Sequence, residues 1–241
     1  MQAPARHWGF LLTEALLIVA SILLAFALDS WWDERRDRVE EQEILRGLQQ
    51  EFQENREKLQ YRITWHLKNL ELLAGLTTAA DRGRWDPGLG EIDSVFAALI
   101  VPPTTDLGNG VLDALIGAGR MELITNRGLR ARLAAWRGVF EEVHDDEVMS
   151  RAFVFERIIP RLVLHGIPMS APMSTFPGLE WSSPRSPGDD AAALEELLND
   201  PGFRTLLDLR SGFMMHTTGE YEAALQAVDE ILAEIATGLG Q

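Results

Sequence analysis

FLLTEALLIVASILLAFALDSWW, residues 10–32, is the stretch that decides how this chain is read. Residues 10–28 are apolar except for Thr13, Glu14 and Ser21, and the run closes on Asp29, Ser30, Trp31 and Trp32 before the charged Asp33-Glu34-Arg35-Arg36. About 20 apolar residues, each rising 1.5 Å in a helix, cross a hydrocarbon core of roughly 30 Å. Indole rings settle at headgroup level, where the ring is dry and the N–H is wet. Residues 10–32 therefore read as a transmembrane anchor with an aromatic exit belt, preceded by a short tail at 1–9 and followed by an extramembrane domain at 33–241.

Two other readings compete. Ala25-Phe26-Ala27 places small residues where a signal peptidase cleaves, so a removable leader stays open. Against it, the apolar run exceeds the usual leader core, only Arg6 precedes it, Glu14 interrupts it, and helix-forming sequence continues beyond it. A buried core helix fits worse, because core helices rarely end on a tryptophan pair beside a dense charge cluster.

Composition bounds the rest. The 241 residues carry a net charge of −15, and Lys58 and Lys68 are the only lysines, which argues against a nucleic-acid partner because phosphate-binding surfaces need clustered cations. The chain contains no cysteine, which excludes disulfides, Cys-ligated zinc, iron–sulfur clusters and thiol nucleophiles. The positive-inside rule is ambiguous, since Arg6 precedes the span while Arg35, Arg36 and Arg38 follow it among Asp33, Glu34 and Asp37. The short leading tail tips the expectation toward a domain sent across the membrane, on the periplasmic side of an inner membrane if the chain is bacterial.

Beyond the anchor the apolar spacing is helical throughout. Leu45, Leu48, Phe52, Leu59, Ile63, Leu67, Leu70 and Leu73 recur at three, four and seven, which predicts one long amphipathic helix over 39–80, packed within the domain rather than self-paired, with Asn55 and His66 near its seam. Gly83, Pro87, Gly88 and Gly90 mark a break at 81–90, and Pro102-Pro103 with Gly108-Asn109-Gly110 another. Short helices are expected at 91–100 and 111–116. Asn126 is placed to cap a helix to about Val143, a second follows over 146–164, and Pro160 should kink or end it. Five prolines between Ile167 and Asp190 predict a long surface loop or lid at 167–190. Asp200-Pro201 opens helices over 201–217 and 219–237. No period-two pattern or internal repeat occurs, so the fold class is all-α.

Glu14-Ala15-Leu16-Leu17-Ile18-Val19, Ile22-Leu23-Leu24-Ala25 and Trp31 with its charged sequel resemble an uncharacterised bacterial family of single-span proteins. In that family a Gly-Glu pair opens an Ile/Leu/Val-rich span that closes on Asn-Asn-Trp-Asn-Glu and runs into a long charged helix. Thr13 replaces the glycine here, and Asp29-Ser30 replaces the asparagines. The segment from Ala114-Leu115-Ile116-Gly117-Ala118-Gly119 through Glu122-Leu123-Ile124 to Leu129-Arg130 is similar to a later small-residue helix and turn of the family. Together these cover about a quarter of the chain. The resemblance implies an anchor and a helical domain, and carries no activity with it.

Chemistry is sparse. Glu141 and His144, one turn apart in Glu141-Glu142-Val143-His144-Asp145-Asp146-Glu147, form half of a di-iron carboxylate pattern, but His7, His66, His165 and His216 have no Glu three residues before them to complete it. The cluster therefore reads as a solvated helix end. The serines form no nucleophile elbow, the glycine pairs lack the lysine of a phosphate loop, and no histidine inside the span is available to a pigment or haem. No cofactor and no metal are expected.

What remains is the anchor as an interaction surface. An ionisable group in lipid costs roughly 2.5 to 3.5 kcal/mol near the bilayer centre. Glu14 lies only about 6 Å past Phe10, so it either reaches the interface or pairs with a partner's polar group. Ala15, Ala20, Ser21, Ala25 and Ala27 permit close helix approach. Glu14, Ser21, Trp31 and Trp32 are the candidate residues for contact with lipid and with other membrane subunits in a hetero-complex, with a homodimer as the simpler assembly. The expected function is a non-enzymatic accessory or scaffold subunit of a membrane assembly, such as a respiratory or photosynthetic complex. A ligand sensor closed by the 167–190 loop, and a metal-dependent enzyme using Glu141 and His144, are the alternatives.

Overall fold

One helix, α1 (Ala5–Arg82), carries the chain from the apolar segment into the domain without a break. The protein is described by a computed structural model covering residues 5–82, 89–102, 104–167 and 187–240, with the side chains of residues 5–12, 89–93 and 187–191 outside the description. At 1.5 Å per residue the 78 residues of α1 extend about 115 Å. There follow α2 (Leu89–Ile100), α3 (Gly110–Gly117), a 3-10 turn (Met121–Leu123), α4 (Arg127–Phe153), one π turn (Val154–Ile158), α5 (Ile159–Leu164), α6 (Pro187–Asn199) and α7 (Pro201–Leu239). Every regular element among the described residues is helical, as the sequence period requires.

Three long helices make the frame. Gln42 bonds the carbonyl of Gly238, Arg56 pairs with Asp229, His66 meets Thr218, and Arg204 reaches the carbonyl of Ala80, so α7 runs antiparallel to α1 along its whole length. On α4, Asn126 meets Glu234, Glu147 meets Tyr221 and Ser150 meets Arg210, which makes α4 antiparallel to α7 and parallel to α1. Leu45, Leu48, Phe52, Leu59 and Leu73 of the α1 stripe therefore pack within their own domain, while Leu67 is exposed and His66 and Asn69 take the buried positions beside it.

Apolar burial is divided in two. Leu45, Leu48, Phe52, Leu59, Leu133, Trp136, Val228 and Ile231 form a core nearer the apolar end of α1, with Phe52 and Trp136 edge to face at 5.2 Å. Leu73, Leu76, Phe96, Val154, Ile158, Leu162, Leu197 and Phe203 form a second, distal core. Between them lies a buried polar layer that includes His66, Glu147, Ser150, Arg210, Thr217 and Thr218.

Several boundaries move from their sequence-based positions, each for a physical reason. The helix capped by Asn126, whose side chain accepts from Leu129 N at 3.1 Å, runs past Val143 to Phe153, because Val143, Glu147 and Ser150 continue the buried face set by Leu129, Leu133 and Trp136. Around Pro160 the α-helix is interrupted by the π turn but the chain stays helical to Leu164. Pro160 sits in the first turn of α5 directly after the π turn, where a widened ladder accommodates the missing N–H. Gly219 does not divide α7, since Met214, Thr217, Thr218 and Tyr221 hold one buried face across it and outweigh a glycine cost of about 1 kcal/mol. Of the expected 167–190 loop, Ile167 is buried in the distal core and Pro187–Asn199 is helix, while residues 168–186 lie outside the described residues. Most of the break at 81–90 lies there too, with α1 ending at Arg82 and α2 beginning at Leu89.

Candidate membrane-interaction site

Leucine, isoleucine, valine and alanine make up most of α1 from Ala15 to Leu28, and a helix surface built from them offers its surroundings little that is polar. Near the N-terminus, α1 is long and apolar enough to cross a membrane, and none of that apolar window is buried by the rest of the chain. Leu16 is 72% exposed and Phe26 is 68% exposed, and a contiguous apolar surface of this extent marks a contact with a membrane or another protein. Glu14 lies exposed on the side of this segment. Ser21 donates back to the carbonyls of Leu17 at 2.7 Å and Ile18 at 3.0 Å. Its hydroxyl is thereby satisfied inside the helix, which leaves a small, low-cost surface for a neighbouring helix.

At the exit, Trp31 and Trp32 meet edge to face with ring centroids 5.2 Å apart, and both are more than half exposed. The Arg35 guanidinium lies 6.0 Å from the centre of the Trp31 ring. One turn on, Arg36 pairs with Asp33 at 3.2 Å and Arg38 with Glu34 at 3.4 Å. All four candidate contact residues thus lie along the part of α1 that the domain leaves uncovered, and none of them enters the domain core.

Inside the domain, buried carboxylates tie loops to helices. Glu147 Oε1 accepts from Thr105 N, Thr105 Oγ1 and Tyr221 Oη, each at 2.8 Å, joining the segment before α3, α4 and α7. Burial and the Glu147 carboxylate push the Tyr221 hydroxyl well above the usual phenol range. On α1, Glu41 receives Thr125 N at 2.6 Å and Thr125 Oγ1 at 2.7 Å, and Glu51 receives Val111 N at 2.7 Å at the start of α3. Asn55 clasps both the N–H and the carbonyl of Gly108 at 2.7 Å. A share of the negative charge thus caps loop and helix N–H groups.

Two buried bases complete the polar layer. Thr218 Oγ1 donates to the carbonyl of Met214 at 2.7 Å, so the His66 Nδ1–H donates to Thr218 Oγ1 at 2.9 Å. Burial lowers the His66 pKa to about 4. Arg210 donates to Ser150 Oγ at 2.9 Å and to the carbonyls of Ala98 and Val101, closing the C-terminal end of α2. Burial lowers its pKa to about 10, still charged at neutral pH. At the far end, Asp200 caps α7 by accepting from Gly202 N at 2.9 Å, and its contact with Arg161 holds its carboxyl down at about 2.

The acidic cluster at 141–147 is no helix end. It lies in mid-α4, where Glu141, Glu142, His144 and Asp145 are exposed and Asp146 and Glu147 are buried. Glu141 pairs with Arg137 at 3.2 Å along its own helix. Among the described residues no three His, Asp or Glu side chains gather as a metal site. Sequence reasoning took Glu147 only as part of an acidic cluster and missed Tyr221 and Arg210, which lie far from it in the chain. The chain matches no family model, no curated protein and no solved structure.

Proposed function

We propose that this protein is a single-pass, membrane-anchored accessory subunit, non-enzymatic, that braces a larger membrane assembly. One observation carries the reading: the exposed apolar segment and the spine of the domain are the same helix, so the domain is held in fixed relation to the span. A flexible linker would serve a tether; an unbroken helix serves a brace. Glu14 and the small residues around Ser21 supply a polar and a close-packing contact for a partner helix within lipid. The resemblance to single-span bacterial proteins supports an anchor in a bacterial inner membrane, and the short tail before the span favours a periplasmic domain. A host such as a respiratory or photosynthetic complex would accept the span at its lipid-facing edge.

Co-purification tests this. The full-length chain, extracted from native membranes in mild detergent, elutes with a stoichiometric membrane partner, and Glu14→Ala or the pair Trp31→Ala with Trp32→Ala reduces that partner severalfold while circular dichroism stays unchanged. Recovery of the partner at the same level with these variants contradicts the proposal.

A second reading rests on a groove of about 710 Å³ between α1 and α7, lined by Leu67, Leu70, Ala74 and Met215. It fits an apolar ligand bound by a sensor domain. Binding of a fluorescent apolar probe that Met215→Glu abolishes would favour it.

A further inference from the structure

Read in order, residues 29–46 mix seven acids with four arginines and look simply acidic. Winding them at about 100° per residue brings three of the four arginines to one side. Trp31, Arg35, Arg38, Gln42 and Arg46 fall on one side of α1 and line a shallow concavity of about 360 Å³ with Val39 and Glu43. Asp29, Asp33, Asp37 and Glu40 fall on the opposite side, where Asp33 takes Arg36 at 3.2 Å. On the basic side, Arg35 has its guanidinium 6.0 Å from the Trp31 ring centre. Arg38 touches Glu34 at 3.4 Å, an exposed pair one turn apart that a stronger anion displaces at little cost. Arg35, Arg38 and Arg46 thus share one face of α1 just beyond its apolar segment, flanked by Glu34 and Glu43.

Depth selects among them. Arg35 lies about 4.5 Å beyond Trp32 along the helix axis and Arg38 about 9 Å beyond. The headgroup layer on each side of the hydrocarbon is roughly 5 to 8 Å thick. Arg35 therefore falls within that layer and Arg38 at its outer edge, while Arg46, about 21 Å beyond Trp32, is out of a headgroup's reach. Guanidinium groups bind phosphate oxygens as a planar fork, and an indole beside them packs on the glycerol and upper acyl chain.

We propose that Trp31, Arg35 and Arg38 form a binding site for the phosphodiester headgroup of an anionic phospholipid. The site rests on α1 crossing a bilayer and is independent of any host complex, so loss of one leaves the other standing.

Reconstituting the full-length chain into vesicles of equal parts phosphatidylcholine and phosphatidylglycerol, re-extracting it in mild detergent and counting retained lipids by native mass spectrometry tests the site. The expected result is a preference of about fivefold or more for phosphatidylglycerol, reduced to within about twofold of parity by Arg35→Gln with Arg38→Gln. Arg36→Gln with Arg151→Gln removes the same charge elsewhere and leaves the preference intact. Glycerol phosphate in solution does not displace the lipid. Parity in the unmodified chain, an unaltered preference after Arg35→Gln with Arg38→Gln, equal loss from the control pair, or displacement by glycerol phosphate would each overturn the proposal.

Discussion

The side-chain amide of Gln42 donates to the carbonyl of Gly238 at 3.0 Å, which seats the last turn of α7 against α1 only about 15 Å beyond Trp32. The domain is therefore packed almost down to the level where the chain leaves the aromatic belt. Gln42→Ala removes a contact worth about 1 kcal/mol and should fray this end first. Hydrogen exchange by mass spectrometry is expected to show faster exchange over residues 232–239 and no change over 203–217.

The core nearer the span rests on aromatic packing. Phe52→Ala removes a fully buried ring that meets Trp136 edge to face, and a loss of about 3 to 5 kcal/mol in unfolding free energy is expected. Urea unfolding of the full-length chain in detergent, followed by circular dichroism, measures it.

Glu147 holds three donors on one oxygen, so its removal orphans several groups at once. Glu147→Ala should cost about 3 kcal/mol or more, whereas Tyr221→Phe, which deletes a single hydroxyl, should cost about 1 to 2 kcal/mol. The same unfolding series compares them, and equal costs would show that the Thr105 contacts carry nothing.

His66 gives the domain a pH dependence of defined sign. Its pKa is about 4 in the folded chain against 6.5 ordinarily, so between those values the unfolded chain binds more protons. Stability contributed by His66 is complete above pH 6.5 and falls as pH drops toward 4, by up to about 1.4 kcal/mol per unit. His66→Gln should flatten the pH profile of unfolding between pH 6.5 and 4.5 relative to the unmodified chain.

Much of the architecture is legible in the sequence because it follows from period and punctuation. The leucines from Leu45 to Leu73 specify a helix with a buried stripe, and Asn126 and Asp200 cap where their side chains allow. What the sequence hides is long-range. Gly219 carries a local signal to break a helix that packing on both sides overrides, whereas Pro160 follows a π turn in an otherwise helical path. Glu147 looks like one more surface acid until Thr105 and Tyr221, 42 and 74 residues away, are brought to it. The arginine face at Trp31 needs only the helical period, yet it is invisible while the charges are read in order.

A C-terminal alkaline phosphatase fusion addresses the side on which the domain lies. Activity in intact cells is expected for a periplasmic domain, and an inactive but membrane-bound fusion would place the domain in the cytoplasm.

The brace itself is tested most directly by a photoreactive amino acid at Ser21, in the uncovered middle of α1, illuminated in native membranes. The expected result is a discrete crosslink to one other membrane protein, lost when Glu14→Ala is added. Crosslinks to lipid alone, or to a second copy of this chain alone, would contradict the accessory role.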